Sequence, residues 1–403
     1  MRITFLTQYF PPEVGAPQAR LSELAELLAE RGHQMTVLTA MPSYPTGRIF
    51  AGYGGLFRRE SRGEVRVLRT AVYPTKSASL VRRLASYLSF VVSSALVGTF
   101  RLGRQDVLLV ESPPLFLGMS AIWLAWVTRA RLVFNVSDLW PDGAIRLGLV
   151  REGSFSHRLA SALERLCYRR AWLVTGQSRT ILSNIAERFP DLVTFHLTNG
   201  CDTRKFGAAQ ASAEMRRRLD PDGDAFIATY AGLHGLAQGL QQILEAARIL
   251  RDETRIRFVL VGDGPEKAEL QALAEEWQLT NVRFLDPVPS AEMPALLASS
   301  DAILVTLKLF LPGAVPSKIY EAMASERPLV LVASGESAEI VGAARAGDVL
   351  APGDIVGLAE TVRGLARGRD GVAETCRRAR ALVENRYDRR AVAERFSERL
   401  EAR

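Results

Sequence analysis

The run Pro316-Ser317-Lys318, with Glu321 three residues on, combines residue types that can hold a charged, hydroxylated ligand. Pro-Ser is a helix opening, and the first-turn amides of a helix attract an anion, to which Lys318 adds a full positive charge. Glu321 falls on the same helix face, where a carboxylate suits the hydroxyls of a neutral polyol such as ribose. An ordinary capped helix with a solvated ion pair uses the same residues, so the rest of the chain has to decide.

Three further stretches carry compatible chemistry. Tyr230-Ala231-Gly232-Leu233-His234-Gly235-Leu236-Ala237-Gln238-Gly239 and Val261-Gly262-Asp263-Gly264-Pro265-Glu266-Lys267 each follow an apolar run and lead into a helical pattern. Glycines there allow a tight turn with amides bared to a pyrophosphate; Gly232, His234 and Gln238 in the first loop, and Gly262 and Lys267 in the second, are candidate diphosphate-binding residues. Near the start, Tyr9 to Ala16 follows the first apolar run, and Gly15 lets backbone approach a diphosphate closely. None of these loops has the GxGxxG spacing, so a nicotinamide or flavin site is not supported.

The elements that must position these loops alternate along the whole chain. Apolar strand patterns at 2–7, 34–39, 65–72, 107–111 and 131–136 are separated by helical ones at 18–30, 79–102 and 115–128, which predicts a parallel sheet covered on both faces. A polar, turn-rich linker over 198–223 introduces a second series, with strands at 226–231, 256–261, 282–285, 302–305 and 328–332. The expectation is α/β: a Rossmann-like domain over 1–198, a second over 199–387, a final helix at 388–403 returning to the first, and a cleft between the two.

Composition is globular: 403 residues, 24% charged and 48% hydrophobic. Cys167, Cys201 and Cys376 are scattered and have no CxxC or histidine-rich company, which argues against disulfides or zinc and for a cytoplasmic setting. The start runs directly into a strand pattern, with no signal-peptide pattern. A net charge of +7 is concentrated in part between Val65 and Gln105, which contain no Asp or Glu. There the apolar segment 84–100 is flanked by Arg82-Arg83 and Arg101, a pattern suited to a membrane surface; the expected partner is the inner face of the membrane, met through 79–104. At the lower length limit of a spanning helix, the segment also admits insertion or burial, and 113–128 reads as a core helix. Without an aromatic platform among the basic residues, nucleic acid is not expected as a partner.

Taken together, Phe10-Pro11-Pro12 through Gly15, Asn199-Gly200-Cys201-Asp202, the Gly232 and Gly262 loops and Glu321-Ala322-Met323-Ala324 resemble the retaining family-four glycosyltransferases of the GT-B fold. Tyr230-Ala231-Gly232, Pro316-Ser317-Lys318 and Asp138-Leu139-Trp140-Pro141 are similar to the bacterial fucosyl- and N-acetylfucosaminyltransferase branch of capsule, colanic acid and O-antigen assembly. The resemblance implies transfer of a sugar from a UDP- or GDP-linked donor to a lipid-diphosphate-linked saccharide. The family's first glutamate falls at position 313, where this chain has Gly313, and Leu233 and Gln238 replace its loop Arg and Lys. Neutralising the departing diphosphate then rests on Lys318, with Lys267 and helix amides in support, and Ser317 and Glu321 complete the donor set.

With no DxD pair outside the acidic turn of Asp220, Asp222 and Asp224, neither a metal nor another cofactor is expected. On the acceptor side Asp138, just past the 131–136 strand, is the carboxylate best placed for catalysis beside Lys318, with Glu13 and Asp142 as alternatives. His33 reads as structural. A soluble nucleotide-sugar epimerase and a non-enzymatic membrane scaffold are the competing functional readings.

Overall fold

The computed structural model describes residues 1–77, 79–146, 151–308, 313 and 315–402. The chain divides into two compact units, one made of Met1–Thr198 with Val392–Arg403, the other of Asn199–Ala391.

The first unit runs β1 (Arg2–Leu6), α1 (Ala16–Glu30), β2 (Gln34–Ala40), β3 (Phe57–Arg62), β4 (Val65–Thr70), α2 (Leu80–Arg101), β5 (Val107–Ser112), α3 (Leu117–Thr128), β6 (Arg131–Val136), α4 (Asp142–Arg146), α5 (Phe155–Arg170), β7 (Leu173–Gly176), α6 (Arg179–Arg188) and β8 (Thr194–His196). Its sheet has the order β3-β4-β2-β1-β5-β6-β7-β8. Successive strand side chains point to opposite faces, and each face has its own core. Ile3, Phe5, Val37, Val107 and Leu109 pack under α1, whereas Leu6, Leu38, Leu108, Val110 and Phe134 pack under α2, α3, α5 and α6.

One expectation is corrected here. The sheet is not wholly parallel: β3 pairs antiparallel with β4, Phe57 opposite Thr70 and Arg62 opposite Val65. No apolar run marks β3, because it is an arginine-rich edge strand whose Glu60 supplies the carboxylate, at 2.6 Å, for the buried Arg69. Charged edges of this kind also discourage pairing with other chains.

Helix α2 has the length and hydropathy of a membrane span. It is nevertheless part of the cover of one face of this sheet: Phe90, Val91 and Ser94 are buried there, and Ser94 Oγ lies 2.8 Å from Ser120 Oγ of α3. Crossing a bilayer would strip that cover from the sheet, so the spanning option is not the one this fold takes. Nor is α3 purely internal, since Met119, Trp123 and Trp126 face outward.

The second unit runs α7 (Ala213–Leu219), β9 (Phe226–Ala231), α8 (Gln241–Ile249), β10 (Ile256–Val261), α9 (Lys267–Glu276), β11 (Val282–Leu285), α10 (Met293–Ala298), β12 (Ala302–Thr306), α11 (Lys318–Ala324), β13 (Leu329–Val332), α12 (Glu336–Ala343), β14 (Asp348–Leu350), α13 (Ile355–Ala366), α14 (Val372–Leu382) and the start of α15 (Arg389–Glu401). Its sheet is wholly parallel among the described residues, in the order β11-β10-β9-β12-β13-β14. Ile227, Val259, Ile303 and Leu331 pack with α11 and α14, and Ala228, Phe258, Leu304 and Val330 with α8 and α13.

The 198–223 stretch is built structure rather than an open linker. Ser212 caps α7 by accepting from the Met215 amide, and the buried Asp220 accepts from the Gly223 and Ala225 amides and pairs with Arg257 at 3.2 Å. Gly200, at φ 54, brings the chain so close to Tyr387 that a Cβ there would stand 2.1 Å from the Tyr387 carbonyl oxygen. The chain re-enters the first unit at Val392, within α15, where Val392, Ala393, Phe396 and Leu400 fill the α1 side of that sheet.

Candidate functional site

An open parallel sheet binds ligands beyond the carboxyl ends of its strands, at the point where the strand order reverses direction. In the second unit that point lies between β9 and β12. The Gly232 loop leaves β9 there, and α11 follows β12, so the sequence motifs at 230–239 and 316–321 converge on one crevice.

The convergence is close. Lys318 Nζ donates to Tyr230 Oη at 2.8 Å and lies 4.3 Å from the centre of the Tyr230 ring. The Tyr230 hydroxyl in turn donates to the Leu233 carbonyl at 2.7 Å, which leaves its lone pair for the ammonium. A Cβ on Gly232, whose φ is 140, would be strained and would stand 2.0 Å from Lys318 Nζ, displacing the ammonium from its place. Burial lowers the Lys318 ammonium from 10.5 to about 8, with Glu321 pulling in the opposite direction. Glu321 therefore does share an electrostatic neighbourhood with Lys318.

Two details differ from the simple picture of a helix end offering free amides. Ser317 adopts helical angles and makes no side-chain cap, while the Ile319 and Tyr320 amides already donate to the Pro316 and Ser317 carbonyls at 3.2 and 3.1 Å. The charge on offer is mainly the Lys318 side chain. Gly313 has φ 79, a conformation that strains a glutamate, which gives the departure at that position a backbone reason.

The second glycine loop, after β10, packs backbone to backbone on the first. The Gly232 amide donates to Val261 O at 2.8 Å and the His234 amide to Asp263 O at 2.9 Å; a Cβ on Gly262 would stand 1.9 Å from the Gly232 oxygen. His234 is thereby carried inward. Its buried ring lies between Tyr230 and Phe284, neither nitrogen makes a well-formed hydrogen bond, and burial together with Lys267 and Lys318 lowers it to about 4. A neutral ring in the wall of the crevice is the result. Gln238 anchors the loop by its backbone, its carbonyl accepting from Thr306 Oγ1 at 2.7 Å. Lys267 is engaged with Asp286 at 2.9 Å, a partner not evident from sequence.

In the first unit the order reverses between β1 and β5. The Gly15 loop follows β1, and within it Glu13 is a clamp: Oε1 accepts from the Ser43 and Tyr44 amides at 2.8 and 2.7 Å, and Oε2 from Phe10 at 3.2 Å. Gly15 itself is extended and abuts the Gln18 side chain. Asp138 follows β6 and presents surface to solvent, yet surrounding protein raises its carboxyl above the usual range against the pull of the Leu139 amide. The first turn of α4 lies beside it, Gly143 being close enough that a Cβ would meet an Asp138 oxygen at 3.2 Å. Asp142 opens α4, and His33 is structural, its Nε2 lying 2.7 Å from Ser397 Oγ.

Sequence reasoning missed the polar network beside Asp138. Glu111, at the end of β5, takes Arg20 Nη2 at 2.5 Å, Asn135 Nδ2 at 2.5 Å and the Ser137 hydroxyl. Arg20 also reaches Ser137 Oγ at 2.7 Å and Gln177 Oε1 at 3.0 Å. These residues tie α1 to the ends of β5, β6 and β7 and fix the loop that carries Asp138. The available signal was a glutamate at the end of an otherwise apolar strand, which demands a buried partner.

Two Rossmann-like units, each a doubly wound sheet with polar groups gathered where its strand order reverses, define the GT-B class of glycosyltransferase folds. The chain belongs to the group 1 glycosyltransferases: residues 211–386 match the family described as glycosyl transferases group 1, and residues 15–200 the glycosyl transferase 4-like domain. It is 31% identical to a protein of Escherichia coli (strain K12) named as a colanic acid biosynthesis glycosyl transferase, WcaI, over 80% of this chain and 81% of that one. A Pseudomonas aeruginosa protein named as a glycosyltransferase, WbjE, is 28% identical over 71% of this chain and 72% of its own. Among solved structures, HepE of Anabaena, crystallised with UDP and glucose, superimposes with a TM-score of 0.74 at 18% identity, covering 100% of both chains. Membership of this family sets aside the epimerase and scaffold readings.

Proposed function

We propose that the chain moves a sugar, with retention of anomeric configuration, from a UDP- or GDP-linked donor to a lipid-diphosphate-linked saccharide during cell-surface polysaccharide assembly. The fucosamine type, or another N-acetylated deoxysugar, is the proposed sugar class. The observation that carries this reading is the Lys318 ammonium held over Gly232 in the crevice between β9 and β12. Relatives named for colanic acid biosynthesis support the polysaccharide setting, and UDP in a structural neighbour supports the donor class.

In this reading Glu321 holds the ribose, while Lys318, Ser317 and the Gly232 and Gly262 loops receive the diphosphate. As the bond from the anomeric carbon to the diphosphate oxygen breaks, negative charge grows on that oxygen and a fixed ammonium stabilises it more than it stabilises the ground state. The acceptor hydroxyl attacks from the departing face and its proton passes to the leaving oxygen. Asp138 orients that hydroxyl. Lys267 acts through its Asp286 pair as a secondary cation, Gln238 and His234 shape the crevice wall, and Gly15 gives the first unit's loop its close approach. No metal or other cofactor is invoked in this reading. The proposed location is the cytoplasm, at the inner membrane face, through 79–104.

The test is incubation with a panel of nucleotide sugars and a short lipid-diphosphate saccharide, with the product's anomeric configuration read by NMR. Transfer with retention from one UDP- or GDP-sugar, and at least a hundredfold loss in Lys318→Ala, is the expected result. Absence of transfer from every donor overturns the reading, and loss in Lys267→Ala but not in Lys318→Ala overturns the assignment of the main cation.

A further inference from the structure

We infer that the membrane-facing surface is a three-helix platform formed by α2, α3 and α5, docking on an anionic bilayer with Trp123 and Trp126 at its centre. This deepens the membrane part of the proposed function, which rested on 79–104 alone.

The platform is continuous because small residues bring the helices close. A Cβ on Gly98 of α2 would stand 2.6 Å from a Leu124 methyl of α3, and one on Gly118 of α3 would stand 2.3 Å from Cys167 Sγ of α5. Trp123 Nε1 donates to Thr99 Oγ1 at 2.9 Å, linking α3 to α2 across the outer surface. Each helix turns a separate apolar stripe outward while its other side fills the core. On α2 the stripe is Leu88, Val92, Leu96 and Phe100, the last 81% exposed. On α3 it is Met119, Trp123 and Trp126, with Trp126 72% exposed. On α5 it is Phe155, Leu159 and Leu166. Apolar stripes exposed on three neighbouring helices are of the kind that marks an interaction surface.

Charge identifies the occupant. Arg82 and Arg101 on α2, Arg129 just after α3, and Arg158, Arg165 and Arg169 on α5 are all exposed. None of them makes an ion pair among the described residues. The single carboxylate on the three helices, Glu164, is buried and bound to Arg188. Exposed arginines, tryptophans and aliphatic side chains, with no exposed acid on the three helices themselves, complement anionic headgroups above an apolar interior: arginine stems lie along the boundary with their guanidinium groups among phosphates, and indole rings prefer that same depth. A protein partner of this chemistry would have to match cations across all three helices, whereas a bilayer does so at any rotation.

The experiment uses the whole chain with vesicles of phosphatidylcholine alone or mixed with phosphatidylglycerol. Binding is read by sedimentation, and depth by quenching of tryptophan fluorescence with acyl-brominated lipid. Wild type is expected to bind the phosphatidylglycerol vesicles, to be released by salt and to be quenched. Trp123→Ser/Trp126→Ser and Arg158→Glu/Arg165→Glu should each weaken binding at least tenfold, with the circular dichroism spectrum and nucleotide-diphosphate binding retained. The platform is overturned by undiminished vesicle binding in both variants, or by no binding by wild type. Self-association without lipid that Trp126→Ser abolishes also overturns it, in favour of a contact between copies. The two proposals separate cleanly, because transfer to a water-soluble acceptor without vesicle binding refutes only the platform, whereas vesicle binding without transfer to any acceptor refutes only the transferase chemistry.

Discussion

At the residue scale, the crevice between β9 and β12 is governed by how two ionisable side chains are kept away from their ordinary charge states. Lys318 loses its proton near pH 8 rather than 10.5, so donor capture measured as kcat/KM in the free enzyme should decline as pH rises through about 8. Tyr230→Phe removes the oxygen that accepts from the ammonium, lowers the Lys318 pKa further, and should shift that alkaline limb to lower pH without altering the acid limb. His234 works in the other direction. Its folded pKa of about 4 lies below the ordinary 6.5, so the unfolded chain takes up a proton first and stability falls as pH drops from about 6.5 towards 4. A gap of that size is worth about 3 kcal/mol once fully expressed. His234→Leu should abolish this part of the acid sensitivity of the second unit, as judged by urea denaturation over that pH range. Lys318, Glu321 and the glycine loops were legible in the sequence because the same local pattern, strand then glycine then helix start, recurs. Tyr230 as a partner, Asp286 on Lys267 and the Arg20–Glu111 network were not, because each pairs residues far apart in the chain and leaves no local spacing to read.

At the element scale, strands that are apolar throughout announced themselves, and β6, β9, β10 and β11 lie where the sequence pattern puts them. The exceptions share a physical cause. β3 is an edge strand that keeps its arginines in water, and β14 is three residues long, so neither needs an apolar run. α7 is a single capped stretch in a charged segment, stabilised by Ser212 and by the core under Met215 and Leu219 rather than by its own periodicity. Helix α2 is the instructive case, because its composition says apolar on all sides while its environment is apolar on one and open on the other. Phe90→Ala should cost about 3–5 kcal/mol in the stability of the first unit, since a buried ring leaves a cavity against the sheet. Phe100→Ser should stay within about 0.5 kcal/mol, as expected for an exposed site. Comparable losses in denaturant titrations of the two variants would mean that α2 is enclosed on both sides.

For the whole molecule, the two units have separate cores and the chain passes between them at 198–199 and again at 391–392. Calorimetry is therefore expected to show two transitions rather than a single cooperative one. Phe396 belongs to the core of the first unit, where its ring lies 5.7 Å from that of Phe195. Phe396→Ala should lower the transition of the first unit by about 3–5 kcal/mol while leaving that of the second, and its nucleotide binding, in place. A shift of both transitions by the same amount would contradict the division. The last helix was expected to return to the first unit, and Val392–Arg403 cluster with it. Its crossing point was not legible, because α15 passes unbroken from one unit into the other and no turn signal marks residue 392.

That return path has a consequence during synthesis. A ribosome releases residues 1–198 long before residue 392 leaves its tunnel, and domains generally begin to fold as they emerge. The α2–α3–α5 side of the first sheet can close at once, since every element covering it has already been made. The opposite side keeps Phe195 and its apolar neighbours uncovered until the whole second unit has been translated and Phe396 arrives. The nascent chain thus carries a temporary apolar face, and the second unit, complete within one continuous stretch, is able to finish folding while the first still waits.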